Sequence, residues 1–60
     1  MSSKMQLRRA ISTLDDAVAL LRRAAQTTGS ESSDHIRRAI REIEDAESKV
    51  KRVMRELPSE

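Results

Sequence analysis

Cysteine, phenylalanine, tyrosine and tryptophan are all absent from this chain, which has one glycine and one proline among its 60 residues. Without cysteine there is no disulfide and no thiolate metal site, and a single histidine, His35, leaves the usual zinc sites without ligands. No aromatic side chain is present to fill a bulky core. Charged residues make up 37% of the sequence, a composition typical of helices. We therefore expect a small helical protein with no cofactor and no metal.

Long hydrophobic runs are also absent. The longest apolar stretch, 17–21, is far shorter than the roughly 20 residues that cross a bilayer. No segment resembles a signal peptide. These absences predict a protein with no membrane span and a cytoplasmic location.

The most informative feature present is an internal repeat. Residues 7–17 (LRRAISTLDDA) return 29 positions later as 36–46 (IRRAIREIEDA), and the same offset aligns 30–31 with 59–60. An offset of 29 is close to eight helical turns, so two amphipathic helices align partly by chance. The identical Arg-Arg-Ala-Ile and Asp-Ala segments still favour duplication. We predict one domain, 1–60, built from two similar units at about 2–30 and 31–60.

Apolar residues in each unit recur at alternating spacings of four and three, which places them in one seam on a helix. In the first unit the seam is Leu7, Ile11, Leu14, Val18, Leu21 and Ala25; in the second it is Ile36, Ile40, Ile43, Glu47, Val50, Met54 and Leu57. We label these heptad positions a and d, with Leu7 at d. The neighbouring g positions carry Ala10, Ala17, Ala24, Ala39, Ala46 and Val53. This pattern predicts an all-α antiparallel two-helix hairpin, with helices at about 4–27 and 33–57.

Residues at the predicted boundaries suit helix ends. Ser3, with a glutamine three residues later, resembles a capping box, and Ser32 or Ser33 is expected to cap the second helix. Gly29 is expected to take the left-handed conformation just past the first helix. Pro58 is expected to end the second helix, because it cannot donate the next hydrogen bond.

Two helices of this size bury too few aliphatic side chains for a robust core, which favours a homodimer forming a four-helix bundle. The first unit has Val18 and Leu20 where the second has Glu47 and Lys49, so its apolar face is wider. We interpret that width as a surface facing a partner; the alternative is that Leu20 is one exposed leucine, which is common. The predicted interface comprises Leu7, Ile11, Leu14, Val18, Leu20, Leu21, Ile36, Ile40, Ile43, Val50, Met54 and Leu57.

Glu47 is the single polar residue in the second seam. We favour a place at the edge of the seam, with the carboxylate reaching water or Lys51. The alternative is a buried carboxylate that fixes register through an arginine of a partner.

Charges form bands along both units, positive, negative and positive in turn: Arg8-Arg9, Asp15-Asp16 and Arg22-Arg23 in the first unit, and Arg37-Arg38, Glu44-Asp45 and Lys51-Arg52 in the second. Folding the chain back at 29–31 brings bands of like sign to similar heights, so ion pairs between the helices are predicted to be poor. Within the second unit, ion pairs between residues four apart are expected to offset the repulsion between like charges. These pairs are Arg38–Glu42, Arg41–Asp45, Asp45–Lys49, Glu47–Lys51 and Arg52–Glu56. The first unit lacks such pairs, and we hypothesise that it packs against a partner displaced by about one heptad.

No serine, histidine and acid form a convincing catalytic set, so we expect no enzyme. The favoured function is a noncatalytic module that self-associates or pairs with a helical protein partner. In length and expected architecture, over nearly the whole chain, the sequence resembles the Rop plasmid regulators, with which it shares no motif. That resemblance implies the alternative, a small dimeric RNA or other nucleic-acid-binding regulator. In this sequence the candidate phosphate contacts are Arg8, Arg9, Arg22 and Arg23, and the aromatic residue that Rop-type recognition uses is missing.

Overall fold

Two helices pack side by side in the computed structural model, which describes residues 2–58. Helix α1 spans Ser3–Thr27 and helix α2 spans Ser30–Glu56, 25 and 27 residues respectively. The two-residue connection makes them an antiparallel hairpin of about 46 × 17 × 9 Å. The predicted all-α helical hairpin is therefore confirmed. The extreme ends of the predicted domain, Met1, Ser59 and Glu60, lie outside the described residues.

Helix α1 begins one residue earlier than predicted. Ser2 is the N-cap: its backbone is extended and its Oγ accepts a hydrogen bond from the Met5 backbone N–H at 3.1 Å. The Gln6 N–H donates to the Ser2 carbonyl at 3.1 Å. The cap assigned to Ser3 was wrong, because the preceding serine provides the same hydroxyl and adds one residue to the helix.

The turn is shorter than predicted. Thr28 and Gly29 are both extended, and Gly29 has φ −64°, so the expected left-handed glycine was wrong. Helix α2 starts at Ser30, and the predicted caps Ser32 and Ser33 lie inside its first turn. Glu31 in that turn is favourable beside the positive end of the helix dipole, which supports the earlier start.

The C-terminal end of α2 agrees with the prediction from the sequence. Leu57 is extended, with φ −76° and ψ 143°, and its N–H donates to the Met54 carbonyl at 3.3 Å. Pro58 follows directly, and proline restricts the residue before it to extended conformations. Proline therefore ends the helix, as predicted.

The seam lies between the helices, with position a at its centre. The most buried residues of 2–58 are all at position a: Ile11, Val18, Ala25, Ile40, Glu47 and Met54. Residues at position d are half-buried, apart from Leu14, which is 37% exposed. No side chain in 2–58 is less than 2% exposed. The core is thus one row of side chains per helix, and its d side is only partly covered.

Within the described stretch, neither helix combines the length and the apolar character that crossing a membrane requires.

Candidate interaction surface

The two sides of the hairpin carry different residues. At about 100° per residue, positions d and g lie roughly 60° and 120° to one side of position a, whereas position e lies about 40° to the other. In an antiparallel pair whose a positions face each other, the d and g positions of both helices share one side. We call that side the open face: Leu7, Leu14, Leu21, Ile36, Ile43, Val50 and Leu57 at d, with Ala10, Ala17, Ala24, Ala39, Ala46 and Val53 at g. The charged side comprises the e residues Arg8, Asp15, Arg22, Arg37, Glu44 and Lys51.

An ion pair crosses the hairpin on the charged side. The Arg22 guanidinium lies 2.6 Å from the Glu44 carboxylate, with both side chains about half exposed. The expectation of poor pairing between the helices was wrong here, because the long arginine side chain reaches diagonally from its basic band to the acidic band of α2. Of the five predicted pairs within α2, Asp45–Lys49 is formed at 3.1 Å, and it is the only one formed among residues 2–58.

The open face exposes apolar surface to solvent. Val53 is 51% exposed, and Ala10, Ala39 and Ala46 are exposed as well. Leu20, 63% exposed, lies at position c of α1, about 40° beyond the g line, and so extends this face at its α1 edge. On α2 the corresponding edge is charged. The apolar surface left uncovered by the hairpin is therefore wider on α1, at Leu20.

The structure divides the predicted interface into two groups. Ile11, Val18, Ile40 and Met54 are buried between α1 and α2 within one hairpin. Val18 had been assigned to the wider apolar face, but it packs inside. The remaining eight residues lie on the open face or at its edge: Leu7, Leu14, Leu20, Leu21, Ile36, Ile43, Val50 and Leu57. The heptad assignment already places positions d and e on opposite sides of position a. That signal, which the prediction from the sequence did not use, separates the open face from the charged side.

Glu47 is buried, contrary to the edge interpretation. Its side chain is 5% exposed, and Oε2 has no hydrogen-bond partner within residues 2–58. Burial raises the pKa of the Glu47 carboxyl above its usual 4.5, and so do a hydrogen bond with Asp15 and the negative charges of Asp15 and Glu44. The positive charge of Lys51 lowers this pKa and only partly offsets those effects. Position a accounts for the burial of Glu47. The other buried residues, Ile11, Val18, Ala25, Ile40 and Met54, all lie at position a as well.

The pairing of Asp15 with Glu47 sets limits on the chemistry at this site. Two carboxyl groups facing each other can share a proton. In the part of the chain that the structure describes, they do not belong to any cluster of three or more side chains suited to a metal ion. The arrangement suits proton binding.

The four candidate phosphate-binding arginines do not form one cluster. Arg8 and Arg9 lie 14 residues from Arg22 and Arg23, about 21 Å along α1, with acidic residues between them. Arg22 instead lines a cleft of about 520 Å³ near the turn. The other lining residues are Asp34, Arg37, Arg38, Ile40, Arg41 and Glu44.

No protein-family model matches the chain, and no curated protein or solved structure gives a significant match. Arguments about function therefore depend on the surfaces just described.

Proposed function

We propose that this chain is a noncatalytic helical interaction module that self-associates through the open face, two hairpins forming a four-helix bundle. The observation that carries the proposal is the half-buried d row, which a single hairpin covers from one side only. A second hairpin laid on the open face would complete the burial of that row. The resulting core would have two layers of apolar side chains where the monomer has one.

The composition of the open face suits a second copy. Alanines flank the d row, and small side chains allow helices to approach closely. The same apolar surface on both partners is self-complementary under two-fold symmetry, the commonest arrangement in homodimers. Charged residues lie mainly on the opposite side, where they remain hydrated in the dimer.

Sedimentation equilibrium of the full chain tests the proposal. We expect a dimer that dissociates when Leu14→Glu or Leu20→Glu places a charge on or beside the open face. Ala19→Glu is the matched control: Ala19 is exposed, adjacent to Leu20, and lies about 100° from the seam on the other side. Circular dichroism checks that each variant stays helical. A wild-type chain that is monomeric at high concentration, or an Ala19→Glu variant that dissociates as Leu20→Glu does, contradicts the proposal.

A second candidate is nucleic-acid binding, favoured by the cleft that gathers Arg22 with three arginines of α2. One guanidinium group can donate two parallel hydrogen bonds to a phosphate. Binding of basic side chains to nucleic-acid phosphates weakens steeply as salt is added. The test is to add an RNA hairpin to the sedimentation experiment at low and at high salt. Salt-dependent binding that is lost in Arg38→Gln and Arg41→Gln but kept in Arg55→Gln supports this candidate. A dimer that ignores RNA at low salt excludes it.

A further inference from the structure

One polar group in the middle of the hairpin is poorly accommodated. Glu47 occupies a buried a position, and its Oε2 has less than 1 Å² of accessible surface and no hydrogen-bond partner within residues 2–58. Val18 occupies the equivalent position of the first unit. A buried carboxylate without a partner destabilises a fold unless it takes up a proton or finds a cation.

The groups around Glu47 favour a proton. From α1 it faces Asp15, a second carboxyl group, and from α2 the charged groups Glu44 and Lys51 act on it. Glu44 is already paired with Arg22. Lys51 is one turn away on the same helix and exposed, so it attracts the carboxylate without joining α2 to α1. Among the groups that shift the Glu47 pKa, the one on the opposing helix is therefore another acid.

We propose that closure of the hairpin depends on protonation: as pH falls, Glu47 takes up a proton and donates it in a hydrogen bond to Asp15, and loss of that proton weakens packing of α1 against α2. With the proton in place, one O–H joins the helices midway along their length. Without it, the buried Glu47 carboxylate and the exposed Asp15 carboxylate carry like charges and repel each other. This inference concerns the hairpin itself and does not depend on self-association.

The direction of the effect follows from linkage. Since the folded-state pKa of Glu47 is raised above its usual 4.5, the closed hairpin binds more protons than the open chain in the interval between the two values. Stability therefore falls as pH rises through that interval. The loss is complete above the folded-state value and absent below the unfolded-state value.

Thermal unfolding of the full chain, followed by circular dichroism at fixed protein and salt concentrations, tests the proposal. As pH rises from about 4.5 to neutrality, we expect the wild-type unfolding midpoint to fall. Glu47→Gln, which imitates the protonated group, should raise the midpoint at the higher pH and remove most of the dependence. Glu42→Gln is the matched control: it removes an exposed negative charge from the same helix and should leave the wild-type slope unchanged.

A second measurement reads the proton directly. Carbon-13 NMR of the side-chain carboxyls should show Glu47 titrating above 4.5, and Asp15→Asn should move that titration downward. Repeating the melts at two protein concentrations separates hairpin closure from self-association. A wild-type midpoint with the same slope as Glu47→Gln, or a Glu47 carboxyl that titrates at or below 4.5, overturns the proposal. Loss of self-association alone leaves these readouts unchanged and bears on the proposed function instead.

Discussion

The Arg22 guanidinium and the Glu44 carboxylate lie 2.6 Å apart and join α1 to α2 across the charged side. Both side chains are about half exposed, so water competes for each group and holding the two long side chains in one geometry costs entropy. The pair orients the charged side more than it stabilises the fold. Stability must come mainly from the apolar seam.

A double-mutant cycle on Arg22→Ala and Glu44→Ala measures this pair. We expect a coupling of about 0.2 to 1 kcal/mol in the free energy of unfolding, falling as salt is added. The control is the same cycle on Asp45 and Lys49, which couples residues within α2 and should give about 0.3 to 0.5 kcal/mol. A coupling near zero for Arg22 and Glu44 at low salt would show that the ion pair does not hold the helices together.

Gly29 offers a stabilising substitution. It is the N-cap of α2 with φ −64° and ψ 162°, no side-chain cap is present, and a Cβ there would meet nothing within 4 Å. Gly29→Ser should raise stability by about 0.5 to 1 kcal/mol, through a hydroxyl cap and a less flexible unfolded chain. Gly29→Ala adds the Cβ without the hydroxyl, and because alanine is a poorer N-cap than glycine it should be less stable than Gly29→Ser. A lower unfolding midpoint for Gly29→Ser would mean that the turn is strained by any side chain.

Ile40 tests the seam. It is 3% exposed at position a, so Ile40→Ala leaves a cavity and should cost about 2 to 3 kcal/mol, towards the low end for buried isoleucine because the core is thin. Arg41→Ala, the next residue and exposed, should change stability by less than about 0.5 kcal/mol. Thermal melts at one protein concentration compare the two. Equal costs would contradict the core assignment.

Glu47→Leu replaces the buried carboxylate with an apolar side chain of similar size. We expect a higher unfolding midpoint at neutral pH, because the unpartnered group is removed from an apolar row. Sedimentation of the same variant reports on register: an unchanged oligomeric state excludes a register role for Glu47. A lower midpoint would show that the carboxylate has a stabilising partner.

Salt dependence of dimerisation tests the staggered arrangement. If neighbouring hairpins pack with their charge bands opposed and displaced by about one heptad, bands of opposite sign meet and added salt should weaken the dimer, whereas a dimer through the open face leaves the bands hydrated and depends little on them. Sedimentation equilibrium at low and high salt measures this directly. A dimer that added salt leaves unchanged or strengthens contradicts the stagger.

Most of the fold was predictable from local pattern, but the first residues of the helices were not. The predicted helices at 4–27 and 33–57 compare with Ser3–Thr27 and Ser30–Glu56. The end of α2 agreed closely because Pro58 leaves no alternative. The starts shifted by one and three residues, since adjacent serines offer caps of nearly equal energy and serine is tolerated in a first turn.

The amino-acid sequence alone determined the helices, the seam and the hairpin, because apolar spacing and a proline act through bonds and contacts within a few residues. Only the tertiary structure decided which seam residues are buried between the helices of one hairpin and which remain on the open face. It also placed Glu47 against Asp15 and carried Arg22 across to Glu44. These outcomes depend on how deeply the antiparallel neighbour covers each position and how far a long side chain reaches.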